Sequence, residues 1–263
     1  MQPSIFISHG VPDSTIRDTL LKSFLTKLAT KLEKKKPNCI IVFSSEWIEK
    51  KITISGNYLN TSSPTKHFGY DNIIPYKPNN NRKYVSLLEE LFIFHNIDYE
   101  TSNERGFDFG VNNPLSIIFP NNDIPVIQIS LSSNLNEEEH FAIGKKLQKL
   151  AARNVLIIGS GNMTENISFS KAIANEQGEN SELPHTEDFL YWITEKIQNN
   201  DLSSLFKYKE NAPYAPENHP KPTALLPLFI TLGLSFPEGL KRIHYSNDFA
   251  MAVDCYFSKT ILK

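Results

Sequence analysis

The sequence predicts an α/β fold: a single domain over residues 1–263, built on a central, mainly parallel sheet flanked by helices. Three observations predict it. Short runs that are apolar at nearly every position recur along the chain, amphipathic stretches at helical spacing lie between them, and the runs end in glycine or small polar residues. Continuous apolar strands mark a sheet covered on both faces. Strand–helix–strand alternation is how parallel neighbours are connected.

SIFIS at 4–8 is the first strand and stops at His9-Gly10. Asp13 or Ser14 can cap the helix that follows, in which Ile16, Leu20, Leu21, Phe24, Leu25, Leu28 and Leu32 keep helical spacing. Lys34-Lys35-Lys36-Pro37 ends it, with cations on the negative end of the dipole and a proline beyond. CIIVFSS (39–45) is a second strand, PVIQISL (125–131) a third and NVLIIGSGN (154–162) a fourth. An amphipathic helix over 136–153 joins the last two. Two stretches carry turn residues instead: 57–83, rich in asparagine with Pro64, Pro75 and Pro78, and 205–222, with Pro213, Pro216, Pro220 and Pro222. Connections of that length in a compact domain tend to be functional.

Composition narrows the function. The formal net charge is −2, with 27 basic against 29 acidic residues, so no basic field points to nucleic acid. No apolar run reaches the roughly 18 residues of a membrane span. The opening MQPSIFISHG lacks the basic start and cleavage site of a secretory signal. Two cysteines, Cys39 and Cys255, sit in strand-like runs and read as core residues, which suits a reducing cytoplasm. That leaves seven histidines as the chemical resource.

Ligands of open α/β sheets bind beyond the carboxyl ends of the strands. The exits here are Ser8-His9-Gly10, Ser44-Ser45-Glu46-Trp47, Asp108 within GFDFG, and Ser160-Gly161-Asn162 with Glu165 beyond. Convergence of His9, Glu46, Asp108 and Glu165 on one crevice is therefore expected, and a histidine with carboxylates can hold Fe(II), Mn(II) or Zn(II). The plainer reading is a turn histidine and solvated acids. IIGSGN has neither the GxGxxG nor the GxSxG spacing, so dinucleotide binding and serine hydrolysis are not supported. His140 in EEEH and His95 at a helix end read as surface and packing residues.

IFISHGVP (5–12), VFSSEW (42–47), RGFDFG (105–110), PVIQISL, IIGSGN (157–162), HPKPTALLPLFITLG (219–233) and YSNDFAMAVDCYF (245–257) occur in that order. The series resembles the class III extradiol ring-cleaving dioxygenases, the LigB-like group similar to the 4,5-DOPA extradiol dioxygenases, nearly end to end. The resemblance implies a central mixed sheet and a non-haem Fe(II), or Zn(II) in crystals, that binds a catechol and O₂ at the strand ends through three protein ligands. A nearby histidine acts as acid and base.

The family pattern places its first ligand at His9. Its second, the histidine of S-A-H-W, falls on Glu46. Its third falls on Ala224, and the histidine of G-F-D-H-G on Phe109. The acid/base histidine falls on Glu165. A methyl cannot bind a metal and a phenyl ring cannot move a proton. The resemblance therefore implies a degenerate metal site, weak or absent metal, and a catalytically impaired homologue. Such a homologue would retain a pocket for a small aromatic or catechol-like ligand, edged by Phe109, Asn162 and His219, and would form a homo-oligomer or pair with a catalytic paralogue. The alternative is a divergent Fe(II) or Mn(II) dioxygenase with a rebuilt His9, Glu46 and Glu165 site, with His219 as a rescue ligand. His67 reads as a loop residue.

Overall fold

The computed structural model describes residues 1–10, 19–56, 82–103, 105–121, 123–166, 185–248 and 251–259. Among them runs one eight-stranded sheet. In chain order its strands are β1 (Ser4–Ser8), β2 (Cys39–Glu49), β3 (Ile52–Ser55), β4 (Tyr99–Ser102), β5 (Val126–Ser132), β6 (Val155–Gly161), β7 (Leu240–Asp248) and β8 (Met251–Ser258). In space the order is β4-β3-β5-β2-β6-β1-β8-β7. Strands β5, β2, β6 and β1 form a parallel block, flanked by antiparallel β8 and β7 on one side and by β3, antiparallel to β5, on the other. The four apolar runs of the sequence are this parallel block.

Alternation along each strand sends side chains to two cores. Ile5 and Ile7 of β1, with Ile40 and Val42 of β2, face α1 (Leu20–Glu33) and α3 (Phe109–Ile118). Phe6, Ile41 and Phe43 point the other way, toward α4 (Glu137–Leu147), α5 (Thr186–Gln198) and α6 (Leu226–Ser235). A further helix, α2 (Arg82–Phe94), buries Val85, Leu88 and Phe92 in the same second core. Cys39 and Cys255 are both fully buried, as their apolar contexts predict.

Four expectations need correction. Helix α1 begins at Leu20 with Thr19 as its cap, the Thr19 hydroxyl accepting from the Lys22 amide; Asp13 and Ser14 lie outside the described residues. The 136–153 helix is α4, closed by a capping box between Asn136 and Glu139, and then a 3-10 turn over Gln148–Arg153. The proline-rich 205–222 stretch is not open loop: it includes two single-turn helices, Tyr208–Asn211 and Ala215–Asn218, with a third, Leu202–Leu205, just before it and a 3-10 turn from Pro222 at its end. His140 is buried, not at the surface: its Nδ1–H donates to the Asn136 carbonyl at 2.8 Å and its Nε2 accepts the Ser132 amide at 3.2 Å. His67 and residues 57–81 of the first long stretch lie outside the described residues.

The glycines of β6 also have a different role from a phosphate loop. A Cβ on Gly161 would stand 2.1 Å from the Ala224 carbonyl oxygen, and one on Gly159 would stand 2.4 Å from that of Pro227. Only a hydrogen at these positions lets the 224–227 backbone lie directly on the strand. This contact brings the Ala224 position to the end of the parallel block.

Candidate functional site

The carboxyl ends of β1, β2 and β6 lie side by side, with Ser8 paired to Gly161 and Ser44 to Ser160. Beyond Phe43 the pairing of β2 with β5 slips before resuming at Ile48. That irregularity falls on Ser44-Ser45-Glu46-Trp47 and turns Glu46 toward His9. Bulges of this kind often re-aim a side chain beside a site.

His9 is buried, and its hydrogen bonds define its protonation. The Ser160 hydroxyl donates to the Gly110 carbonyl at 2.5 Å, so its oxygen accepts from His9 Nδ1–H at 3.1 Å. The proton is on Nδ1, and Nε2 presents a lone pair. Asn162 fills that lone pair. Its Oδ1 accepts the Gly10 amide at 3.1 Å, which directs Nδ2 to His9 Nε2 at 3.2 Å and to Glu165 Oε2 at 3.4 Å. Burial pushes the His9 pKa down to about 3, so the ring is neutral.

Glu46 Oε1 stands 3.7 Å from His9 Nε2. This is not an ion pair at neutral pH. Burial, then the charges of Asp108 and Glu165, push the Glu46 carboxyl up to about 8, so both groups are uncharged there. Asp108 is fully buried and caps α3 rather than ending a strand. Its carboxylate accepts the Val111 amide at 3.2 Å, the Ser44 hydroxyl at 2.9 Å and the Gln128 amide. Burial raises its pKa, and Arg105, Nη2 at 3.5 Å, opposes that rise. Arg105 also donates to the Glu46 carbonyl at 2.9 Å and lies 5.0 Å over the Trp47 ring. Glu165 is raised by burial as well, opposed by the Asn162 bond and Lys221.

Thus His9, Glu46, Asp108 and Glu165 gather around the carboxyl ends of β1, β2 and β6, as the strand-end argument predicts. The other two positions that the sequence resemblance singled out, Phe109 and Ala224, are here too. The Phe109 ring meets His9 edge-on, centroids 4.9 Å apart. Ala224 is buried, and its carbonyl accepts the Asn162 amide at 3.0 Å. His219 is elsewhere: its Nε2–H donates to the Met163 carbonyl at 2.7 Å, and its ring packs against Phe189 and Tyr208. It is a core residue that fastens the 215–222 segment and not a ligand turned into the crevice.

The donors do not fit the family's metal. His9 has no free lone pair, Ala224 and Phe109 offer no donor, and Glu165 reaches His9 only through Asn162. Among the described residues, no three His, Cys, Asp or Glu side chains are placed to hold one ion. The His9, Glu46 and Glu165 donor set expected from the sequence therefore does not form in this arrangement. What the cluster offers is hydrogen bonding: the uncharged Glu46 carboxyl, the Asn162 amide and a neutral imidazole. Gln128 is the member that sequence reasoning missed. A lone amide inside the apolar run of β5 was the available signal.

The family model described as the catalytic LigB subunit of aromatic ring-opening dioxygenase matches residues 2–255. A 4,5-DOPA dioxygenase extradiol of Beta vulgaris is 28% identical over 240 residues, covering 89% of this chain and 87% of the relative. One from Escherichia coli strain K12 is 27% identical over 243 residues, covering 88% and 84%. The fold is shared with the crystal structure of an uncharacterized protein of Escherichia coli K12, at a TM-score of 0.77 and 23% identity over 98% of this chain and 99% of the other.

Proposed function

This chain belongs to the LigB family of aromatic ring-opening dioxygenases, and from that premise we propose that it is a member that has lost extradiol cleavage and keeps its crevice for a small aromatic or catechol-like ligand. In the active family the metal supplies a Lewis-acid centre for catecholate and O₂. Here the carrying observation is the occupied lone pair of His9, held by an Asn162 whose own orientation is fixed by the Gly10 amide. Ala224 and Phe109 stand where the family pattern has two more histidines. In this reading Glu165, in the acid/base place, binds a ligand hydroxyl instead of relaying a proton, while the buried Asp108 orients Ser44 and Gln128.

Anaerobic loading with Fe(II), desalting and metal analysis, followed by an oxygen-electrode assay with DOPA and simple catechols, tests this. The expected result is far less than one iron per chain and no catechol-dependent oxygen uptake, with DOPA binding still visible in the fluorescence of Trp47 beside the crevice. Stoichiometric iron with oxygen uptake overturns the proposal. One observation favours a second reading, a rebuilt Fe(II) or Mn(II) oxygenase: Glu46 already lies 3.7 Å from His9 Nε2. That reading needs Asn162 to swing away, and it requires Glu46→Ala to lower whatever metal is bound. We further propose a cytoplasmic protein that self-associates or pairs with a catalytic paralogue, which light scattering of the purified chain tests directly. Among the described residues no helix is long and apolar enough to cross a membrane.

A further inference from the structure

Far from the crevice, a groove of about 890 Å³ runs between α1 and the β7–β8 end of the sheet. Its apolar floor is Phe24, Leu28 and Leu32 of α1 with Ile243 and Phe257 of the sheet. Its rim is basic: Lys27 and Lys31 on the helix, Lys35 in the turn after it, and Lys241 and Arg242 on the strand. Among the described residues, no acidic side chain lines it. Arg242 is engaged by Asp254 at 3.4 Å. No carboxylate of the described residues forms an ion pair with Lys27, Lys31, Lys35 or Lys241.

The spacing is informative. Residues 27 and 31 put ammoniums on two successive turns, about 6 Å apart, along one flank of α1, and Lys35 follows just past the helix end. Like charges at this spacing disfavour the helix that carries them. Leu28 and Leu32, on the adjacent flank, are buried beneath the groove, and the half-buried Phe24 and Ile243 leave apolar surface in it. A row of cations beside a row of apolar residues is the complement of an acidic amphipathic helix, whose carboxylates recur at the same interval.

A docked strand is the less suitable occupant. β7 is the edge of the sheet, but its pairing shifts register between Arg242 and His244, and it carries Lys241 and Arg242. Charges and bulges are how edges resist strand addition. A helix alongside α1 needs no edge hydrogen bonds. We propose that this groove docks an acidic amphipathic helix of a partner protein, with its apolar face on the partly exposed Phe24 and Ile243 and its carboxylates on Lys27, Lys31, Lys35 and Lys241.

The probe is a fluorescein-labelled peptide of about 18 residues, with leucines on one helical face, glutamates flanking them and alanines elsewhere. A scrambled peptide of the same composition and phosphatidylserine vesicles are the comparisons. Anisotropy titration of the full chain should give saturable binding that the scramble lacks. It should weaken about tenfold or more between low and high NaCl, and likewise in K27E/K31E. Both lysines are exposed, so the variant should keep its circular dichroism; Lys27→Gln with Lys31→Gln serves if charge reversal disturbs the fold. Equal binding of peptide and scramble, indifference to both double variants, or lysine-dependent binding to vesicles without binding to the peptide would each overturn the proposal.

Discussion

His219→Gln should flatten the acid limb of the stability profile. His219 donates its Nε2–H to the Met163 carbonyl, while its Nδ1 is buried without a hydrogen-bond partner. Protonation would add a second N–H at Nδ1, toward no acceptor. Burial accordingly pushes the pKa from 6.5 down to about 4, the Met163 bond opposing the change. The folded pKa lies below the unfolded one, so the unfolded chain binds the proton more readily. His219 therefore leaves stability intact above pH 6.5 and subtracts from it as pH falls toward 4. At 1.36 kcal/mol per unit, the loss at pH 4 is about 3 kcal/mol relative to pH 8. Glutamine can keep the donor to Met163 and does not titrate. Urea unfolding of wild type and variant at pH values from 8 to 4 isolates the effect as a difference of slopes, whatever constant offset the substitution adds. Parallel profiles would refute the argument. So would a His219 imidazole resonance titrating near 6.5 by NMR in the folded protein.

Asp254 should act with the opposite sign. Burial raises its carboxyl from 3.8 to about 7 against the pull of Arg242, so wild type loses about 4 kcal/mol as pH climbs through that interval. Asp254→Asn removes this fall, seen as a higher urea midpoint relative to wild type at pH 8 than at pH 4. Asp108→Ala strips a buried acceptor from Ser44, Gln128 and the Val111 amide, and should destabilise by about 3 kcal/mol or more in the same assay. Gly161→Ala forces a methyl against the Ala224 carbonyl and should cost about 1–3 kcal/mol, read as a lowered melting temperature.

The four parallel strands were legible because interior strands covered on both faces leave no room for a polar alternation. Strand β7 has polar residues along much of its length, and a mixed pattern of that kind does not announce a strand. The crevice was legible through strand topology, which brings together residues as distant as His9 and Glu165. Its chemistry was not. Whether His9 carries a free lone pair depends on which way the Asn162 amide points, and that is decided by the Gly10 backbone. Likewise Glu46 and Glu165 look like solvated acids in sequence, yet burial raises both carboxyls. His140 follows the same rule: three glutamates before it suggest a surface, but its ring lies on the inner side of α4 and takes up the Ser132 amide. His219 shows the reverse case, a histidine beside prolines whose fixed place comes from packing on Phe189 and Tyr208.

The bare strand at Gly159 and Gly161 has an evolutionary consequence. The 224–227 segment is held against β6 by main-chain contact at Gly159 and Gly161, so its placement is set at the glycines more than by the side chain at 224. Selection can then relax on that side chain without exposing the lineage to unfolding. The architecture at this strand end is thus constrained at residues 159 and 161, which carry no chemistry, more tightly than at the side chain of 224.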